Sequence, residues 1–239
     1  MSIPKHIFQC FKTKNLSTDF QAIVDTWRSH HPEYQYTLYD DRDCDLFILQ
    51  FFDKRIVEAY RRILPGGFKA DLWRCCMLYI CGGIYVDIDT LCLGNMDQLL
   101  QNASFITPID LSGDHMLFNS FIAAAPRSPI LWDCIQRIVR HVESNYVPEN
   151  RLEFSGPGVL GRAVNVHLGR SEQAFFRGME GRVRDVYLLS FDSATEYVRD
   201  RDTVLFQNKN GNQRLRILYH NECQRTSTIC WFNSSSVLS

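Results

Sequence analysis

An α/β fold with a largely parallel sheet is what this 239-residue sequence predicts, on three observations. Strand-like and helix-like stretches alternate along the chain, the signature of a parallel sheet covered by helices. A helically spaced apolar run, Phe68 to Cys81, passes through Gly82-Gly83 into the short apolar strand Ile84-Tyr85-Val86. That strand ends in Asp87-Ile88-Asp89, and ligands of such sheets sit outside the carboxyl ends of the strands.

In chain order, Ile7 to Phe11 reads as a first strand, closed by the polar run Lys12 to Ser17. Phe20 to His30 reads as a helix stopped before Pro32. Tyr34 to Tyr39 alternates as a second strand and leads into Asp40-Asp41; Leu46 to Leu64 reads as one or two helices ending at Pro65-Gly66-Gly67. In the helix over 68–81, Leu72, Cys75, Cys76, Tyr79 and Ile80 carry the apolar spacing, and Gly82-Gly83 suits a helix end that needs positive φ. Beyond Asp89 the alternation continues with a strand at 105–107, helices at 129–143 and 159–168, and a strand at 186–191. Phe11, Tyr39-Asp40 and Asp87 are thereby expected at one edge of the sheet. One domain is expected over 1–239, with a ligand-binding half at about 1–110 and a second half at about 111–239.

Composition narrows the function. Hydrophobic residues make up 45% and charged residues 22%, which is ordinary for a soluble fold. Net charge is 26 − 27 = −1, so no bulk field draws the chain to nucleic acid, and Lys54-Arg55 with Arg61-Arg62 reads as a solvated helix face. No run reaches the ~18 apolar residues of a membrane span. The first residues, Met1 to His6, lack a signal-peptide apolar region. The nine cysteines are odd in number and contain no CxxC pair, so a zinc site has little support and a reducing, cytoplasmic compartment is expected.

Asp87 and Asp89 are two residues apart, which on a strand places both carboxylates on one face. Mg²⁺ or Mn²⁺ prefers such oxygens, often one or two carboxylates together with substrate phosphates. An Asp-x-Asp alone fits a polar turn after a buried strand better than a metal site. The preceding helix adds Asp71 and Arg74 at i and i+3, on one face, among Leu72, Trp73, Cys75 and Cys76. A charged pair on a buried helix needs a partner or a purpose.

Lys69-Ala70-Asp71-Leu72-Trp73-Arg74 followed by Gly82-Gly83-Ile84-Tyr85-Val86-Asp87-Ile88-Asp89 resembles the signature of the DXD-containing sugar transferases of glycosyltransferase family 32. That family includes fungal mannosyltransferases and animal α-1,4-linking transferases, and the clostridial glucosylating toxins share a similar block. Ile3 to Gln9, Tyr36 to Asp40 and Ser155-Gly156-Pro157-Gly158-Val159-Leu160 are similar to the family in the same order, over roughly residues 3–165. The resemblance implies a GT-A fold, a divalent cation (Mn²⁺ or Mg²⁺), a nucleotide-sugar donor, UDP ahead of GDP, a glycan or other hydroxyl acceptor, and retention of anomeric configuration.

Carried over residue by residue, the resemblance implies that Asp87 touches the ribose, sugar or metal and that Asp89 ligates the metal. Asp71 and Arg74 would hold the donor sugar and phosphate, Tyr85 would line the donor pocket, and Gln9 would lie beside the base or ribose. Phe11 stands where the family usually has Trp and would stack on the base. His220, after Leu218-Tyr219 read as an apolar strand, would be a third metal or phosphate contact, and Trp231 a lid residue or ordinary packing. A catalytic trio of Asp87, Asp89 and Arg74 follows. Inversion would need a general base; Glu153, Asp185 and Glu222 are the first carboxylates to consider. Two rivals exist: a haloacid-dehalogenase-type phosphatase using Asp87-Ile88-Asp89-Thr90, and a relative that binds nucleotide without transfer.

Overall fold

The computed structural model describes residues 2–64, 66–101, 103–228 and 237–238. The chain opens with strand β1 (His6–Cys10), helix α1 (Thr18–His30) and strand β2 (Gln35–Tyr39). Ser17 caps α1 by accepting the Phe20 amide, and Asp40 and Asp43 form a reciprocal capping box that starts α2 (Asp41–Phe51). Asp53 caps α3 (Lys54–Arg62), so the stretch read as one or two helices is two.

Helix α4 (Gly66–Cys81) is buried on nearly every side, which is why its apolar residues run all round rather than along one stripe. It ends where expected. Gly82 and Gly83 have φ of 63° and 101°, and the Gly82 amide donates to the Leu78 carbonyl at 2.8 Å. A Cβ at Gly82 would come within 2.6 Å of Pro126, and one at Gly83 within 2.7 Å of the His6 carbonyl oxygen. Strand β3 (Gly83–Val86) follows, then β4 (Thr90–Cys92), β5 (Phe105–Pro108), β6 (Phe121–Ala124), α5 (Pro129–Glu143) and α6 (Pro157–His167). The last part holds β7 (Gly181–Val183), β8 (Val186–Asp192), β9 (Tyr197–Asp200), β10 (Thr203–Asn208) and α7 (Gln213–Arg225).

The sheet runs β2-β1-β3-β6-β5-β8-β9-β10-β4, with β7 on β8. β2, β1 and β3 are parallel, as are β5 and β8; the remaining pairs are antiparallel. The α/β expectation holds; β2, β1 and β3 form the parallel part next to Asp87, and the rest of the sheet is mixed. Register Cys10↔Tyr39 and Phe8↔Tyr85 puts the ends of β1, β2 and β3 on one edge. Phe11, Asp40 and Asp87 therefore lie along that edge, as expected.

Alternate residues of the central strands feed opposite faces. Phe8, Tyr85 and Ile122 pack with α4, α5 and α6, whereas Ile7, Ile84 and Phe121 pack with Trp27 of α1 on the other side. A third, smaller cluster joins Phe11, Phe20, Val24 and Ile88 to Leu215 and Cys223 of α7. The segment carrying His220 is thus a helix, not an apolar strand. Only Leu215, Glu222 and Cys223 of α7 are buried, so its inward face is short. Trp231 lies outside the described residues.

Candidate active site

Asp87 leaves β3 as the ladder ends, its amide donating to the Ser120 carbonyl at 2.8 Å. The Thr90 hydroxyl donates to the Asp87 carbonyl at 2.7 Å, closing a tight turn over Asp87-Ile88-Asp89. Trp27 Nε1 donates to the Thr90 carbonyl at 3.0 Å, and Gln9 Nε2 donates to the Asp87 carbonyl at 3.2 Å. The Tyr36 hydroxyl fixes Gln9 in turn, donating to its Oε1 at 2.6 Å. The backbone that presents the two carboxylates is braced from β1, β2 and α1.

Beneath the turn lies a buried polar chain. Tyr85, two residues before Asp87 and on the same face, donates its hydroxyl to Asp87 Oδ1 at 2.7 Å. The Arg74 guanidinium reaches the same oxygen and Asp71 Oδ1, both at 3.2 Å, and stacks over the Tyr85 ring at 4.3 Å. Arg74 also donates to the carbonyls of Ala70 and Asn119. Asp71 accepts from Asn119 Nδ2 and Ser155 Oγ, each at 2.7 Å. Gly156 keeps this corner open, since a Cβ there would sit 3.2 Å from Asp71 Oδ2 and from Asn119 Nδ2.

These contacts revise several expected roles. Gln9, Asp71, Arg74 and Tyr85 are buried and engaged with protein partners: Tyr85 and Arg74 contact the Asp87 carboxylate, Gln9 its carbonyl, and Asp71 pairs with Arg74. Phe11 is only 8% exposed and packs at 5.7 Å from the Phe20 ring, so it is no open platform for a base. His220 is exposed on α7 and meets Gln224 at 3.0 Å, with no contact to either aspartate.

The two aspartates themselves differ. The Asp87 side chain is 31% exposed, whereas that of Asp89 is 6% exposed and paired with Lys209. Burial pushes the Asp87 carboxyl up to about 6; Arg74 opposes the shift and the charge of Asp89 adds to it. Burial also raises Asp71, against the pull of Arg74, Ser155 and Asn119. Burial lowers the Lys209 pKa, but Asp89 more than offsets that and leaves it above the ordinary lysine value.

Among the described residues, no group of three or more His, Cys, Asp and Glu side chains forms a ready-made cation cage. A divalent cation nonetheless fits the residues present. Asp89 Oδ1 is buried without a hydrogen-bond partner, and Asp87 and Asp89 offer the hard oxygens that Mn²⁺ or Mg²⁺ prefers. Three carboxylates (Asp71, Asp87, Asp89) face two cations (Arg74, Lys209), so the cluster carries one excess negative charge.

A family model for a glycosyltransferase sugar-binding region containing a DXD motif matches residues 17–106. That stretch of the chain is thus similar to the DXD-motif glycosyltransferases. Among relatives, an initiation-specific alpha-1,6-mannosyltransferase of Schizosaccharomyces pombe is 28% identical over 194 residues, covering 70% of this chain and 49% of its own length. The mannosyl phosphorylinositol ceramide synthase CSH1 of Saccharomyces cerevisiae is 29% identical over 150 residues, covering 61% and 38%. The chain thus spans about half or less of these two relatives. In three dimensions it is similar to the PaToxG glycosyltransferase, with TM-score 0.54 at 18% identity over 70% of this chain and 71% of that one. The glycosyltransferase domain of the YGT toxin gives TM-score 0.50 at 10% identity, over 70% and 78%. The fold is accordingly of the GT-A type. The phosphatase reading falls with these matches to glycosyltransferases.

Three contributors escaped the sequence reading. Ser155 lay within a quoted motif but had no role. Asn119 and Lys209 carried no local signal, because each reaches the site from a distant strand end or turn.

Proposed function

We propose that this chain transfers a hexosyl group from a nucleotide-diphosphate sugar to a hydroxyl acceptor, using the DXD-motif turn as its donor and metal site. The observation that carries the reading is Asp87 and Asp89 on a braced turn at a parallel sheet edge, backed by the Asp71–Arg74–Tyr85 chain. Asp87 and Asp89 would hold the cation, Mn²⁺ or Mg²⁺. When bound, that cation stabilises the negative charge of the departing nucleoside diphosphate. Tyr85 and Arg74 fix the Asp87 carboxylate beforehand, so no reorganisation is needed as that charge grows.

Mannose leads the candidate sugars, because the relatives are named for mannosyl transfer. Mannose is activated on GDP, which moves the first choice of carrier from UDP to GDP. The acceptor is a glycan or other hydroxyl compound, and a phosphoinositol-type head group is a reasonable member of that class. No helix among the described residues is long and apolar enough to cross a membrane. Cytoplasmic residence is part of the same proposal, supported by free thiols at Cys10, Cys44, Cys75, Cys76, Cys81, Cys92 and Cys134.

Retention at the anomeric carbon is the favoured course, with the leaving phosphate taking the acceptor proton on the same face. The three carboxylates considered as bases for inversion are engaged elsewhere. Glu153 pairs with His115 and Arg162, Asp185 with His167 and Ser104, and Glu222 with Arg225 and the Ser17 amide. The test is to incubate the protein with Mn²⁺ and a panel of GDP- and UDP-hexoses, measuring released nucleotide and the anomeric proton of the product. GDP-mannose should turn over first and give an α-linked product. Absence of binding and turnover with every donor in the panel would refute the reading.

A further inference from the structure

Lys209 stands 120 residues from Asp89 in sequence, yet its ammonium is hydrogen-bonded to Asp89 Oδ2. The sheet places it there. Strand β10 runs antiparallel to β4 with Asn208 opposite Thr90, so the residue after Asn208 meets the residue before Thr90. The turn that carries Lys209 is firmly built. Asn208 caps it through the Asn210 amide, Gln207 Nε2 donates to the Gly211 carbonyl at 3.2 Å, and a Cβ at Gly211 would lie 2.1 Å from the Thr195 carbonyl oxygen. The side chain is a flexible four-carbon stem whose ammonium also sits 4.3 Å over the Tyr219 ring of α7.

Resting on the reading of Asp87 and Asp89 as the metal pair, we propose that Lys209 is an internal counter-ion of the site and a diphosphate-binding residue. Its ammonium neutralises Asp89 while no divalent cation is bound. It yields that carboxylate when a cation enters, and then pairs with the donor's diphosphate. The charge balance drives the exchange. The cluster of three carboxylates and two cations carries −1, and a divalent cation takes it to +1. An ammonium only 21% exposed that loses its carboxylate needs another anion, because an unpaired buried charge is costly. A diphosphate bound beside Asp87 and Asp89 brings that anion, and lysine is a common phosphate partner as a point charge. Tyr219 keeps the ammonium near either partner.

The test is titration of Mn²⁺ by calorimetry or electron paramagnetic resonance on wild type, Lys209→Met and Lys209→Arg, with and without a nucleoside diphosphate. Thermal unfolding confirms the fold of each variant. Lys209→Met should bind Mn²⁺ alone about tenfold tighter, since the competing cation is gone. With Mn²⁺ saturating, it should bind GDP and UDP about tenfold more weakly, the scale of one lost charge-assisted hydrogen bond. Lys209→Arg should keep most of the nucleotide affinity. If both affinities fall together, Lys209 is a structural post and the proposal is overturned; an unchanged Mn²⁺ affinity overturns it too. If neither wild type nor Lys209→Met binds Mn²⁺ with or without nucleotide, the metal reading itself fails. Should Lys209→Met fold poorly, Lys209→Gln keeps a hydrogen-bonding side chain and reads out the same two affinities.

Discussion

Replacing Arg74 with methionine tests whether the buried chain beneath Asp87 is held by charge. Methionine fills part of the space of the arginine stem and removes the cation. The Arg74 and Asp71 side chains are only 5% and 11% exposed, so the substitution strands a carboxylate in the interior. Breaking a buried pair from one side costs roughly 3–5 kcal/mol. Asp71 keeps Ser155 and Asn119 as hydrogen-bond donors at 2.7 Å, which argues for the lower end, about 3 kcal/mol. For a chain of this size each kcal/mol moves the midpoint by about 2–4 °C, so Tm should fall by about 6–12 °C. The double variant Arg74→Met/Asp71→Asn removes the stranded charge and should regain about half of the loss, a coupling that urea unfolding of the four-member cycle measures. Mn²⁺ affinity should also fall in Arg74→Met, because Asp87 loses the cation that favours its ionised form. A loss below about 1 kcal/mol, or strict additivity in the cycle, would refute the claim that Arg74 holds this chain electrostatically.

Asp89→Asn should abolish detectable Mn²⁺ binding while the fold survives, with a lowered Tm because the Lys209 ammonium loses its carboxylate; an unaltered Mn²⁺ affinity would exclude Asp89 as a ligand. Tyr85→Phe removes the 2.7 Å hydrogen bond to Asp87 without changing the ring, and should weaken Mn²⁺ binding by about tenfold, a loss of ~1.5 kcal/mol, with calorimetry as the measure. The Asp87 carboxyl, raised to about 6, binds a proton more tightly in the folded chain than at its ordinary value of 3.8. Its ionisation therefore costs stability as pH rises from about 4 through about 6, while Mn²⁺ affinity rises over the upper part of that window. The two opposite trends should vanish together in Asp87→Asn, compared by thermal unfolding and Mn²⁺ titration at pH 5 and 7.5.

The Asp87 turn was legible because its determinants are local. Helical spacing marks α4, two glycines with positive φ end it, and a three-residue apolar strand must follow in the core. β6 and β10 were not legible, since Phe121–Ala124 and Thr203–Asn208 are short and gain their identity from distant partners. α7 was misread because its segment buries few residues and shows little periodicity to distinguish helix from strand. Asp71, Arg74, Tyr85 and Asp87 were named together from the sequence, but not the way they pair with one another. Strand parity puts Tyr85 and Asp87 on one face, yet only the tertiary contacts of Arg74 show that this face is filled with protein.

That filling bears on how the chain divides its work. A boundary near residue 110 would put the donor site in the first half and the acceptor site in the second. The geometry does not separate so cleanly. Asn119 and Ser155, both beyond that boundary, hold Asp71, and Lys209 holds Asp89. The first half supplies the carboxylates together with Arg74 and Tyr85, and the second half adds Asn119, Ser155 and Lys209 as their partners. On the proposed function, Gln9, Asp71, Arg74 and Tyr85 are already engaged with protein, which leaves discrimination among sugars chiefly to other side chains. The open side of the turn is where such groups belong, and Asp87, the more exposed of the two motif aspartates, is the group that meets them. Exchanging loops between family members should therefore change the sugar or acceptor accepted without disturbing the metal pair, whereas changes beneath Asp87 should reduce transfer of every sugar alike.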